Sequence, residues 1–301
     1  MNTKTVILIT GPTASGKTSL ALQTAQHYKT EIISADSRQC FIEMNIGVAK
    51  PSREELTAVP HHFINSHSIH DDVNAATFAQ YASEVAERIF QTHNVLVLAG
   101  GTGLYIKAFL EGLDDIPAIP SFVRDNILHQ YEEKGLQWLQ DEIRATDPKF
   151  FAEGEIKNPQ RLMRALEVKL VTGKSIKDFH SSSGTGASEK YKVVKYAIDV
   201  PRKELYENIN NRVDKMIADG LVNEARSLLP FRNLNALQTV GYSELFDYFD
   251  GKINLYEAVD KIKQNTRNYA KRQLTWCRKD KEINWIDATH ASRLTPHDTR
   301  T

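Results

Sequence analysis

The chain reads as an α/β fold: a P-loop-containing parallel sheet core covered by helices, with an inserted all-helical domain. Three observations predict it. Residues 11–18 spell GPTASGKT between a short apolar run and a helical segment. Apolar runs alternate with helical periodicity over the first 115 residues, the pattern of strand–helix units whose sheet is covered on both faces. From residue 121 to about 179 the pattern is helical alone, and a β-type run returns only at 192–200.

Strand one covers residues 6–10 and feeds the loop. In G-x-x-x-x-G-K-[ST], Gly11 and Gly16 let backbone N–H groups turn inward around Pro12, Thr13, Ala14 and Ser15. Lys17 adds a mobile positive charge, and the Thr18 hydroxyl can hold Mg²⁺. The helix that opens at Ser19 and runs to about Tyr28 points its positive end at a bound anion. Strand two covers 31–34 and leads into Asp36, Ser37, Arg38 and Gln39. A short strand near 62–65 precedes a helix capped by Asn74, with Phe78, Ala82, Val85 and Ile89 on one face. Strand three covers 95–99, and a helix follows over 103–110. Two prolines in DDIPAIP (114–120) mark a loop, and SSSGTG (181–186) reads as a flexible connector. After the strand at 192–200, three or four helices complete the chain. The expected organisation is therefore an α/β core, 1–116 with 189–301, interrupted by a helical insertion at 117–188.

Composition narrows the class. At 301 residues the chain can bury a substantial core. Lys plus Arg and Asp plus Glu both number 38, so global charge does not decide for or against nucleic acid. Cys40 and Cys277, the only cysteines, lie far apart and form no C-x-x-C pair, which argues against a disulfide framework or zinc site and for a reducing compartment. The apolar run at the amino terminus is too short for a secretory signal, and no run approaches the roughly 18 apolar residues of a membrane span. A soluble, cytoplasmic protein is expected, and no heptad demands more than a monomer.

The loop predicts a bound di- or triphosphate. The apolar strand VLVLA (95–99) runs into Gly100, Gly101, Thr102 and Gly103 with no carboxylate at its end, which argues against a motor or nucleotide hydrolase. Asp36 is expected at the carboxyl edge of the sheet, beside the loop if strands one and two are neighbours. A carboxylate there can cap the following turn, bind magnesium through water, or accept a proton from an attacking group. Charge is locally sorted. Residues 261–279 hold seven bases (Lys261, Lys263, Arg267, Lys271, Arg272, Arg278 and Lys279) and no acid. In 157–177 six bases face one acid, Glu167, on a helix started by Asn158 and Pro159. There Arg161, Arg164 and Val168 are expected on one face, and Leu162, Leu166 and Leu170 on another. A basic face is often only solvated surface, but two such stretches beside a phosphate loop point to a polyanion. His61, His62 and His67 read as loop or strand-edge histidines without a metal.

GPTASGKT, ADSRQ (35–39), MNIGVAKP (44–51), AGGTGLY (99–105), NPQRLMRALEV (158–168), QTVGY (238–242) and KRQLTW (271–276) together resemble the bacterial tRNA dimethylallyltransferases, in family order over nearly the whole chain. The resemblance implies transfer of a dimethylallyl group from dimethylallyl diphosphate to N6 of the adenine at tRNA position 37. That adenine adjoins the anticodon of tRNAs reading codons that start with U. It implies Asp36 as general base, the loop from Gly11 to Thr18 and Arg212 at the diphosphate, and Mg²⁺ on Thr18. It further implies RNA contacts from Asp36, Ser37, Arg38, Gln39, Thr102, Arg124, Gln160, Arg161, Leu162, Met163 and Arg164, with the insertion as one jaw of a clamp on the anticodon stem-loop. Phe41 stands where some members carry Tyr, and no second cysteine lies near Cys277 to build the zinc finger of longer relatives. A small-molecule kinase would share the loop and the magnesium but leave both basic segments without a purpose.

Overall fold

The computed structural model describes residues 3–179 and 186–287. The chain divides into two compact units, Met1–Glu111 with Gly186–Thr301, and Gly112–Thr185. The serine- and glycine-rich connector expected at 181–186 lies, Gly186 apart, outside the described residues.

The first unit begins with β1 (Thr5–Thr10), which passes through the loop into α1 (Lys17–Tyr28). Then follow β2 (Ile32–Ala35), α2 (Arg53–Ala58), β3 (His61–His62), α3 (Ala75–Thr92), β4 (Val95–Gly100) and α4 (Gly103–Glu111). Asn74 caps α3 through the N–H groups of Ala76 and Thr77, and Phe78, Ala82, Val85 and Ile89 are buried as the 3.6-residue period requires. The strand expected near 62–65 is shorter and earlier. Phe63 and Asn65 take left-handed φ of 62° and 53°, which ends any extended run.

After the second unit the chain returns through α8 (Ala187–Lys190), β5 (Lys192–Asp199), α9 (Arg202–Ala218), α10 (Leu221–Leu228), α11 (Tyr242–Phe249) and α12 (Leu255–Cys277). A sixth strand not foreseen in the sequence, β6 (Ile283–Asp287), pairs in parallel with β5. The sheet order is β3-β2-β4-β1-β5-β6, every pair parallel. Strand β1 alternates cleanly: Val6 and Leu8 join one core, Ile7 and Ile9 the other, so both faces are covered. The order corrects one expectation. Strand β4 lies between β1 and β2, so Asp36 does not follow a strand that neighbours the loop's own.

The second unit contains α5 (Ser121–Thr146), α6 (Pro148–Glu153) and α7 (Pro159–Thr172), then a 3₁₀ turn at Ile176–Asp178. Helix α5 is broken at Gly135, whose φ of 76° only glycine adopts at little cost. Ile127, Leu139, Ile143, Phe150, Leu162 and Leu166 form the unit's own core. The faces of α7 differ from expectation. Val168 is fully buried instead of sharing a surface with the arginines, and Leu170 is exposed. Residues 162–168 are buried apart from Arg164, and Leu162, Met163, Ala165 and Leu166 join the core of their unit.

Among the described residues no helix is long and apolar enough to cross a membrane.

Candidate active site

The phosphate loop bends through three left-handed residues, Gly11 (φ 131°), Ala14 (φ 62°) and Gly16 (φ 92°). Ala14 carries a steric cost for this conformation, the kind of local strain that collects at ligand sites. No side chain caps the N-terminus of α1, leaving the N–H groups of its first turn for a ligand. The Ser15 hydroxyl is buried with no partner, and a phosphate oxygen would supply one. Lys17 Nζ donates to the Pro12 carbonyl (2.6 Å), and Arg212 Nη1, from α9, donates to Thr13 Oγ1 (3.2 Å). Burial, then the neighbouring Arg212, push the Lys17 ammonium down to about 8, with Asp36 opposing them. Burial also holds Arg212 below its ordinary value, again against Asp36. Two cations short of water at one place form a site for a multiply charged anion.

Asp36 follows β2 directly. Its Oδ1 accepts from the N–H groups of Arg38 (2.9 Å) and Gln39 (3.3 Å), so one carboxylate oxygen caps the turn as one of the three readings required. Strand β4 comes close enough to hold this turn. A Cβ on Gly100 would lie 2.2 Å from the Ala35 carbonyl oxygen, so only glycine fits. Thr102 N donates to that same carbonyl (3.1 Å), and Ser37 N donates to Thr102 Oγ1 (3.1 Å). Gln273, from α12, ties the other side: Thr13 N donates to its Oε1 (2.8 Å), and its Nε2 donates to the Gly101 carbonyl (3.0 Å).

Two cavities open at this edge of the sheet. The first is lined by Lys17, Thr18, Ser34, Gln39, Gly100 and Gly101, and the second by Ser37, Arg38, Val48, Met216, Leu221, Val240 and Ile262. Thr13, Asp36, Arg212 and Tyr269 line both. Burial, then the charge of Asp36, push the Tyr269 phenol up to about 12, so it stays protonated at neutral pH. Thr18 also lines a third groove with Asn208, Asn211 and Arg212. Among the described residues no three His, Cys, Asp or Glu side chains could together hold a metal. A cation on Thr18 would therefore take most of its ligands from phosphate and water, as Mg²⁺ does at such loops.

The model of the family described as IPP transferase matches residues 39–280. The chain belongs to the IPP transferase family. A relative from Christiangramia forsetii named tRNA dimethylallyltransferase is 47% identical over 288 residues, covering 96% of this chain and 95% of its own. The crystal structure of full-length tRNA isopentenylpyrophosphate transferase from Bacillus halodurans is 35% identical with a TM-score of 0.69, over 95% of this chain and 90% of that one. A eukaryotic dimethylallyltransferase captured acting on tRNA shares the fold at a TM-score of 0.77 and 23% identity, over 96% of this chain and 75% of that one.

In this IPP transferase the residues singled out in the sequence fall into two groups. Thr13, Lys17, Thr18, Asp36 to Gln39 and Arg212 line the two cavities of the first unit, Thr102 holds the turn at Ser37, and Ala14, Ser15 and Gly16 line the third groove beside them. Arg124, Gln160, Arg161 and Arg164 belong to the second unit, where Gln160 is exposed. Glu167, almost fully buried, pairs with Arg164 Nη1 (3.1 Å) and Arg124 Nε (3.7 Å). Arg161 pairs with Glu155 (2.5 Å). Leu162 and Met163 have buried side chains, which pack the core of their unit. The three histidines go separate ways: His61 to the Val59 carbonyl, His62 to Glu31, and His67 to Ser66. Sequence reasoning missed Gln273 and Tyr269, which line the cavities. Gln273 stands inside the KRQLTW segment, a signal that was there to use; Tyr269 carries none.

Proposed function

We propose that this IPP transferase moves a dimethylallyl group from dimethylallyl diphosphate to N6 of the adenine at tRNA position 37, next to the anticodon. The tRNAs would be those reading codons that start with U, and the products N6-(dimethylallyl)adenosine and diphosphate. One observation carries the reading: the cationic loop and the Asp36 carboxylate line two cavities that share Thr13, Asp36, Arg212 and Tyr269. A donor anchored by its diphosphate and a base brought in from outside need such a junction.

The loop from Gly11 to Thr18 receives the diphosphate, with Lys17 and Arg212 as charge partners. A divalent metal is a feature of the family; Mg²⁺ is the ion proposed here, with Thr18 as the residue that would hold it. When bound, it would offset charge on the leaving group. The C1–O bond of the donor breaks and its electron pair departs with the diphosphate, where Lys17, Arg212 and the inward N–H groups stabilise it. N6 forms the new bond to C1, and its proton passes to the Asp36 carboxylate. The adenine must leave its stack to reach this point. Ser37, Arg38, Gln39 and Thr102 are the proposed RNA contacts of the core (1–116 and 189–301), and Arg124, Gln160, Arg161 and Arg164 those of the insertion (117–188). A cytoplasmic monomer is the working state.

The test is purified protein with labelled dimethylallyl diphosphate or γ-labelled ATP, each with and without an anticodon stem-loop carrying adenine 37. Transfer of the prenyl label to that RNA, abolished by replacing the adenine with guanine, is expected. Label passing instead from ATP to a small acceptor would make the protein a kinase and end this reading.

A further inference from the structure

We propose that Glu224 is a positioning residue for the reaction, holding the cavity wall that Gly47 and Val48 present to Asp36. Glu224 lies on α10, and its carboxylate gathers three consecutive backbone N–H groups of one loop. Oε2 accepts from Asn45 N (3.1 Å) and Ile46 N (2.8 Å), and Oε1 accepts from Gly47 N (3.0 Å). The Tyr242 hydroxyl donates to the same Oε1 (2.6 Å). Three adjacent N–H groups turned toward one carboxylate form a small anion nest, here filled by the protein's own side chain. Hydrogen bonds to a charged acceptor are about twice as strong as neutral ones, so the three from the loop fix it to the carboxylate and the fourth, from Tyr242, holds the carboxylate in place.

Within the loop, Ala49 N donates to the Ile46 carbonyl (3.0 Å) and Lys50 N to the Asn45 carbonyl (3.3 Å), so the turn closes on itself and Glu224 anchors it to α10. Tyr242 is fully buried directly behind Gly47, where a Cβ would lie 2.6 Å from the phenol ring. Burial, then the Glu224 charge, push the Tyr242 phenol far above its ordinary range, so it remains a donor to the carboxylate at any working pH. Gly47 and Val48 face the cavity that Asp36, Arg212 and Tyr269 also line, while Ala49 and Pro51 face the cavity of the phosphate loop. Gln39 Nε2, three residues beyond Asp36, donates to the carbonyls of Val48 (3.4 Å) and Ala49 (3.1 Å). The chain of contacts therefore runs from Glu224 through residues 45–49 to the turn that carries Asp36. Glu224 touches no reacting atom, and its effect is geometric: reacting groups misplaced by about an ångström can lose on the order of a hundredfold in rate.

This role rests on the proposed prenyl transfer. Glu224→Gln keeps the size but sets an amide NH₂ against at least one backbone N–H. With donor and stem-loop both saturating, its single-turnover rate should fall tenfold or more, while stem-loop Kd moves less than twofold. Tyr242→Phe removes one of the four bonds and should lower the same rate by a few-fold. Ile89→Ala, a core truncation under α3 away from both cavities, serves as the stability control at a temperature where circular dichroism shows every variant folded. A Glu224→Gln rate within twofold of wild type, or a loss matched by Ile89→Ala, overturns the positioning role while the reaction stands. Wild-type protein that leaves the stem-loop unmodified overturns the reaction itself, and the role with it.

Discussion

Replacing Asp36 by Asn tests the proton acceptor with little disturbance of the turn around it. The turn depends on Oδ1, which accepts from Arg38 N at 2.9 Å and Gln39 N at 3.3 Å, and an asparagine carbonyl oxygen can accept both. What disappears is the negative charge and the basic oxygen. General-base assistance is worth about 10²–10⁴-fold, or about 2.7–5.4 kcal/mol at 1.36 kcal/mol per decade. The single-turnover rate at saturating donor and stem-loop should fall by that range, with the melting temperature nearly unchanged. Asp36→Ala should lose the turn bonds as well and add a stability cost of about 1 kcal/mol. Asp36 also opposes the forces that depress Lys17. The Asn variant should therefore release its Lys17 proton at a lower pH than wild type, and the two rates are to be compared across a pH series, on the acid plateau that each one reaches. An Asn variant within tenfold of the wild-type rate would refute the base assignment and leave Asp36 as a turn cap alone.

Lys17, pushed down to about 8, is cationic below that pH in the free protein and neutral above it. Diphosphate prefers the ammonium form, so its affinity should be complete below pH 8 and fall up to about tenfold per pH unit above it, until the higher pKa of the complex is reached. Titration calorimetry should show this slope in wild type and lose it in Lys17→Met. In the second unit, Arg161→Ala should weaken stem-loop binding, reduce the salt slope by about 1, and change stability by less than about 1 kcal/mol, since its ion pair with Glu155 is exposed. Arg164→Ala should unfold its unit more readily, by about 3 kcal/mol in thermal or urea melts, because it leaves Glu167 buried with only the longer Arg124 contact. Gly100→Ala drives a Cβ to 2.2 Å from the Ala35 carbonyl and should cost about 1–3 kcal/mol or more of stability, together with most of the activity.

The parallel core was legible because its signals are local: continuous apolar strands, a glycine-fixed loop, and Asn74 ahead of a strongly periodic helix. Strand order is not local, and nothing between residues 10 and 95 says that β4 will insert between β1 and β2. Strand β6 escaped because it is short and its apolar alternation breaks where Trp285 and Ile286 follow one another. On α7 the period was read correctly, but how far around the helix burial extends depends on what packs against it, so Val168 and Leu170 exchanged places. The same reason hid Glu224: a carboxylate on a short helix looks solvated until a loop 177–179 residues earlier in the chain is folded onto it.

The missing carboxylate at the end of β4 and the presence of Asp36 at the end of β2 have a common geometric basis. Where a hydrolase would place a magnesium-binding acid, this chain has Gly100, Gly101 and Thr102. Without side chains at the first two positions, the Ala35 carbonyl can approach Gly100, and Thr102 grips both that carbonyl and the Ser37 N–H. Gly101 makes room for Gln273, which reaches across to Thr13 in the phosphate loop; a Cβ there would lie 2.1 Å from the Gln273 amide nitrogen. The central strand thus joins the turn carrying the acid to the loop carrying Lys17, although their own strands do not touch. An acid on the central strand would face the phosphates and serve their hydrolysis. Moved one strand outward, it keeps electrostatic contact with Lys17 and Arg212 and lines both cavities, the position that the proposed proton acceptor needs.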